Sequence, residues 1–307
     1  MSKADSTTEE PQPGVSNRRR FMAHAGLATL GVLGASKLKA FGGSPAAAAS
    51  VDDTEKAATA TDVNILNFAL NLEYLEAEYY LRGAYGRGLA SNEVTGTGTL
   101  GNVTGGSAVP FKNLQFRDFT QEIARDEEAH VRFLRAALGS QAVARPTIDL
   151  QSSFTAAAQA AGIIGPNQTF NPFADEVSFL LGAFIFEDVG VTAYHGAAPL
   201  ISDKTILDAA AGILAVEAYH AGLIRTVLFQ LGQFAATKAI SDLRDKADGL
   251  GDDDQPIRLQ GHANIVPADS NGLAYKRTTA QVLDVVYLGG AAANYGFFPD
   301  KLNGNIK

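Results

Sequence analysis

Apolar residues recur at helical spacing in four long stretches of the chain, separated by polar and glycine-rich segments. In "DVNILNFALNLEYLEAEYYLRGAYGRG", Ile65, Phe68, Ala69, Leu72 and Leu75 share one helical face. Asp62 is the expected N-cap of this helix, and Gly83 and Gly86 its stop. Helix two is "NLQFRDFTQEIARDEEAHVRFLRAALG", closed by Gly139. Helix three, "ADEVSFLLGAFIFEDVGVTAYHGA", stops near Gly196 and Pro199, and the short link "PLISD" leads into helix four, "KTILDAAAGILAVEAYHAGLIRTVLFQLG".

The segments between these helices differ in kind. Residues 88–110 are rich in Gly and Thr, lack periodicity and are expected to form a loop, flexible at "GTGTLG", residues 96–101. A long connection between helices two and three passes Pro146, an Ala-rich helix "SSFTAAAQAAG" and the turn "GPNQTFNPF". The pattern predicts an all-α fold: a four-helix bundle over residues 62–235 with a long crossover between helices two and three. Residues 236–307 hold a polar helical piece, an extended stretch around "GDDDQPIRLQGHANIVP" and the apolar segment "TTAQVLDVVYLG". They are too short and glycine-rich to fold alone, and are expected to pack on the bundle as a C-terminal extension.

Composition narrows the chemistry. A net charge of −8 argues against nonspecific binding to nucleic acid or anionic membranes. The absence of cysteine excludes disulfides, thiolate catalysis, iron–sulfur clusters and cysteine-ligated zinc. Any metal must therefore be held by oxygen and imidazole nitrogen. Residues 1–49 read as an address: an arginine cluster, a short apolar stretch and an alanine-rich end. Arg18 and Arg19 followed by Phe21 and Met22 resemble the twin-arginine export pattern. The expectation is a cleaved signal peptide, a linker over residues 50–61, and a mature protein in the periplasm or outside the cell. The apolar stretch is too short and weak for a stable membrane anchor.

The candidate chemistry lies on the four helices. "RDEEAH" and "AVEAYH" each place a glutamate three residues before a histidine, as Glu127 with His130 and Glu217 with His220. Residues three apart on a helix are about 60° apart around its axis, so both can reach one ion. The other two helices supply Glu73 in "ALNLEYL" and Glu187 in "LLGAFIFEDVG", each on an apolar face where an unpaired charge is costly. The halves repeat further, because Tyr80 follows Glu73 by seven residues and Tyr194 follows Glu187 by the same interval. That repeat selects Glu73 over Glu76, whose counterpart is Gly190. Four carboxylates and two imidazoles balance two divalent ions, and an oxygen-rich set of this kind suits iron or manganese better than zinc.

This pattern resembles the di-metal carboxylate proteins of the ferritin-like superfamily. Within it, "LNFALNLEYLEAEYYLRGAYGRGL", the "DEEAH" helix, "FEDVGVTAYHGAAPLI" and "NYGFFPDKLNG" are similar to the desiccation-related ferritin-like proteins. The resemblance implies a ferritin-like bundle with a metal pair, acting on oxygen or hydrogen peroxide. It leaves three activities open: a redox enzyme of oxidase, peroxidase or catalase type, an iron-binding storage protein, and a stress protectant that the metal merely stabilises. Oligomeric state stays open as well, with a homo-oligomer among the alternatives. Related proteins often carry an aspartate just before each Glu-x-x-His, orienting a ligand imidazole. Asp126 fits that place and Val216 does not, so the two metal positions are expected to differ.

Tyr80 and Tyr194 either donate to ligating carboxylates and join the redox chemistry, or are plain core tyrosines. Glu76, Glu78 and Glu128 are expected to be solvated or to support the ligands from behind. His195 is expected near a helix end and His262 on the surface. "GTGTLG" at 96–101 matches a dinucleotide fingerprint literally but lacks the flanking strand and helix, and "DDD" at 252–254 lacks the spacing of a calcium loop.

Overall fold

In the computed structural model, residues 58–249, 251, 253–289 and 296–307 are described. The expected signal peptide, most of the expected linker and the start of "NYGFFPDKLNG" lie outside them.

Helix α1 (Ala60–Tyr85) opens on a capping box. Thr59 is the N-cap, and its Oγ1 accepts from Asp62 N at 3.1 Å while Asp62 Oδ2 accepts from Thr59 N at 3.0 Å. Asp62 therefore sits one turn inside the helix rather than at its cap. Its carboxylate also accepts from Ser202 N at 2.8 Å and Ser202 Oγ at 2.7 Å, which ties α1 to the link before helix four. Gly86 ends α1 in the left-handed conformation, φ 70°. Gly83 does not end it: the helix runs through Gly83, where a Cβ would collide with the Phe179 ring.

Helix α2 (Leu114–Leu138) is capped by Asn113 and stops at Gly139. The crossover holds the short helix α3 (Ser152–Ala160). Helices α4 (Glu176–Ala197) and α5 (Lys204–Gln230) are capped by Asp175 and Asp203 and packed against each other, as α1 is against α2. This is the all-α bundle with its crossover between the second and third long helices. Residues 176–200 are apolar enough to span a membrane by length and composition, but 72% of their 18-residue apolar stretch is buried inside the protein. The corresponding share for α5 is 28%, with Tyr219 79% exposed on its outer side. The core is dense in aromatic rings, with Tyr79 stacked on Phe179 at 4.5 Å and its hydroxyl donating to Phe179 O at 2.7 Å.

The Gly/Thr-rich segment is fastened along its length. Strand β1 (Val103–Thr104) pairs in parallel with β2 (Ile148–Asp149) of the crossover. Upstream, Thr97 N donates to Ala142 O at 2.9 Å and Ala144 N to Thr97 O at 2.8 Å. Gly96 and Gly101 permit this closeness, because a Cβ on either would strike the crossover backbone. The expected flexible loop is a pinned ribbon.

Behind α4 and α5 lie helix α6 (Phe234–Asp248), the hairpin β3 (Arg258–Leu259) and β4 (His262–Ala263), and helix α7 (Thr279–Val286). Helix α6 begins just before the expected 235/236 boundary. Buried Arg225 on α5 and Arg244 on α6 converge on Asp188 at 2.7 and 2.9 Å. The tail buries Phe297 and Phe298 fully, and Asn303 bonds Asn71 of α1 and Thr99 of the ribbon.

Candidate metal centre

Each long helix contributes one fully buried glutamate to the bundle interior: Glu73 from α1, Glu127 from α2, Glu187 from α4 and Glu217 from α5. His130 and His220 enter one turn after Glu127 and Glu217, with their ring centroids 6.4 Å apart. His130 Nδ1 lies 3.2 Å from Glu73 Oε2, 3.4 Å from Glu127 Oε2 and 3.6 Å from Glu217 Oε1. His220 Nδ1 lies 3.0 Å from Glu127 Oε1 and 3.4 Å from Glu187 Oε2. The six expected ligand residues thus meet as two groups that could each hold an ion: Glu73, Glu127, His130 and Glu217, and Glu127, Glu187 and His220. Within each group the ligand atoms lie within 4.8 Å of one another, and Glu127 belongs to both.

Hydrogen bonding tests whether such ions fit. Among the described residues nine buried side-chain N or O atoms lack a hydrogen-bond partner. Six belong to this cluster: both oxygens of Glu127, both of Glu217, Glu187 Oε2 and His220 Nδ1. Buried polar groups left unpaired cost about 1–3 kcal/mol each, more when charged, so native proteins rarely leave them so. A hard or borderline cation coordinated by oxygen and imidazole nitrogen would satisfy all of them.

The electrostatics point the same way. Burial opposes charge on His130, but Glu73 and Glu127 outweigh it and hold its pKa at about 12. His220 is buried too, and Glu187, Asp126 and Glu127 raise its pKa against that burial. Burial pushes Glu73 up to about 7 against the pull of His130, whereas for Glu127 the two histidines overcome burial and hold the carboxyl low. Burial and the surrounding glutamates push Glu217 well above the ordinary range. The centre demands positive charge, which here only imidazole protons supply.

The supporting residues cross between the halves. Tyr80 donates to Glu187 Oε1, and Tyr194 donates to Glu73 Oε1 at 2.5 Å. Each tyrosine shares a face with the glutamate seven residues before it yet bonds the carboxylate of the opposite half. Burial, reinforced by that carboxylate, pushes both phenols well above 10 and keeps them donors. Asp126 likewise reaches across, with Oδ2 at 3.4 Å from His220 Nε2, which leaves His220 Nδ1 facing inward.

Three acids expected to be solvated or supporting prove buried. Glu78 is paired with Arg82 at 3.0 Å and with Arg145 of the crossover, away from the ligand groups. Glu128 pairs with Arg87 and Arg132 at 3.0 and 3.1 Å. Glu76 faces the cluster: burial, then Glu127, Glu73 and Glu187, push its carboxyl well above the ordinary range. Its place one turn after Glu73 was the available signal, and comparison with Gly190 concealed it. A Cβ on Gly190 would collide with Glu217 Oε2, so the glycine makes room for a candidate ligand. His195 closes α4 with Nδ1 3.1 Å from Tyr275 O, and His262 is exposed on β4.

Comparison with known proteins agrees with this architecture. Residues 61–230 match the ferritin-like domain family. The chain is 30% identical to a desiccation-related protein of Craterostigma plantagineum, over 73% of this chain and 76% of that protein. It is 29% identical to a ferritin-like catalase of Nesocodon mauritianus, over 80% of this chain and 84% of that one. No solved structure matches significantly. With a bundle of this topology and matches of this length, the chain belongs to the ferritin-like domain family and, within it, to the desiccation-related proteins.

Proposed function

We propose that the protein is a di-metal oxidoreductase that disposes of hydrogen peroxide in stress or desiccation protection, with iron or manganese as its ions. The observation that carries this reading is the set of six unpartnered atoms at the meeting point of four glutamates and two histidines. Glu73 and His130 would hold one ion, Glu187 and His220 the other, with Glu127 common to both groups and Glu217 beside the first. Bound there, a redox-active pair would exchange two electrons with peroxide. Dismutation turns two peroxide molecules into two waters and one dioxygen, so no outside reductant is needed.

The protein's own groups supply geometry. Tyr80 and Tyr194 fix one oxygen of Glu187 and Glu73, so that the other oxygen, Oε2, faces the histidine of its group, where a metal would bind. Asp126 sets the His220 tautomer. The name of the Nesocodon relative supports the catalase form of the reading. Metal analysis of protein purified from its native compartment, with an oxygen electrode, tests it. Two ions per chain and one dioxygen released per two peroxides are expected. Protein that holds no metal, or leaves peroxide intact, overturns it.

The Craterostigma relative favours a second reading, a protectant whose metal only stabilises the bundle. Two ions per chain, peroxide left intact and a melting point that falls on chelation would establish it. Iron uptake far beyond two ions per chain would instead mark an iron-binding protein. Export by the twin-arginine route to the periplasm or beyond belongs to the same proposal and rests on Arg18 and Arg19. Lysine at both positions should leave the precursor in the cytoplasm, and unimpaired export of that variant would refute the route.

A further inference from the structure

A cavity of about 20 Å³ lies between α1, α4, α7 and the tail. Leu75, Phe186, Val189, Val286 and Phe297 make most of its wall apolar, and Glu76 is the single titratable residue in its lining. The space suits one small molecule, since about 10–15 Å³ of such volume already holds a water.

Two features join this cavity to the metal centre. Glu76 stands one helical turn beyond Glu73, and Gly190 one turn beyond Glu187, so both lining residues follow candidate ligands at the same interval. Gly190 also lacks the Cβ that would strike Glu217 Oε2, so no side chain separates the lining from that carboxylate at this point. Glu76 is buried at 6% exposure, and no residue of the cavity wall is basic. An anion would meet an apolar wall and a carboxyl group there, both unfavourable. A neutral molecule with its own hydrogen-bonding atoms is the fitting occupant.

We propose that this cavity seats hydrogen peroxide next to the metal centre, and that Glu76 is the group that hydrogen-bonds it there. The inference rests on the peroxide reading above and gives the C-terminal extension a role, because Val285, Val286 and Phe297 form part of the cavity wall.

Xenon and steady-state kinetics test it together. Crystals of the full chain under xenon should show the gas in this cavity, and Val286→Phe, which fills the space, should abolish it. Glu76→Leu should raise the KM for peroxide at least tenfold while keeping two ions per chain. Glu76→Gln, which keeps hydrogen-bonding atoms, should stay within about threefold of the parent. Val286→Leu, a gentler filling, should raise KM by less than Val286→Phe and covers the case in which the larger variant does not fold. No xenon in the parent cavity, or peroxide kinetics indifferent to Glu76→Leu and both Val286 variants, overturns this inference alone. A parent inert toward peroxide overturns the catalytic reading and the Glu76 assignment with it, while the xenon result still decides whether the cavity is accessible.

Discussion

Two buried clusters of charge begin on adjacent residues of α4 and are resolved in opposite ways. From Asp188 one runs through Arg225, Arg244, Asp254, Arg277 and Asp248, three acids against three arginines. Backbone carbonyls of Phe184, Gln255, Pro256 and Asn264, and the Thr192 hydroxyl, take further guanidinium hydrogens. Arg244 Nε alone is misaligned for a hydrogen bond, and it lies 2.8 Å from Asp254 Oδ1. From Glu187 the other cluster gathers four glutamates around two histidines and leaves six atoms without a hydrogen bond. Buried acid alone does not make a metal site. What distinguishes the two is whether the protein completes the charge and hydrogen bonding itself, which the Asp188 cluster does and the Glu187 cluster does not.

The contrast is sharpest in the sign of a mutation's effect. Asp188→Leu takes from buried Arg225 its carboxylate and from Arg244 one of two, and should cost roughly 3–5 kcal/mol. That should appear as a fall of about 10 °C in melting temperature, equal with metal and after chelation. Glu217→Leu should behave oppositely. With metal present it loses an ion and the linked stabilisation, about 2.7 kcal/mol when free metal is a hundredfold above Kd. After chelation it should be no less stable than the parent, because it replaces an acid that has no hydrogen-bond partner. If both variants respond alike to chelation, the clusters do not differ in the way described.

A smaller effect separates the two ions within the Glu187 cluster. Asp126 orients His220, while the equivalent place toward His130 is taken by Val216. Losing such a partner typically costs 10–100-fold in metal affinity. At 3.4 Å the bond is long, so Asp126→Ala should weaken the ion near His220 by about tenfold. Val216→Asp should strengthen the ion near His130 and bring two titration steps together. A parent that fills both positions in one step, or a Val216→Asp variant whose steps move apart, would contradict the assignment.

The long helices and the Glu-x-x-His pairs were legible because both are local: periodicity and a spacing of three survive in one dimension. The departures all involve partners distant in sequence. Seven residues place Tyr80 on the face of Glu73, but its acceptor is Glu187 across the bundle. Glu78 is expected to be solvated or to support the ligands because Arg145, which neutralises it, arrives from the crossover. The segment 88–110 looked loose because a ribbon built on backbone bonds and on glycines at Gly96 and Gly101 carries no hydrophobic period. The repeat that favours Glu73 over Glu76 breaks at that point: one half carries a buried carboxyl group there and the other makes room for Glu217.

Asp62 completes the comparison with a buried acid balanced by neutral donors alone, and it yields the smallest effect. Burial raises its pKa, but the backbone and hydroxyl of Ser202 and of Thr59 outweigh that and hold it at about 2. An aspartate in the unfolded chain titrates near 3.9. Because the folded value is the lower one, Asp62 contributes stability above about pH 4 and loses it as pH falls toward about 2. Asp62→Asn turns an N–H group toward donors that need an acceptor, and should cost about 1 kcal/mol at neutral pH, on the scale of a lost helix cap. The gap between parent and variant should narrow steadily between pH 4 and pH 2. Denaturant midpoints at pH 6 and pH 2.5, both under chelation so that the metal centre does not intrude, measure it. A gap of equal size at both pH values would show that Asp62 acts through shape rather than charge.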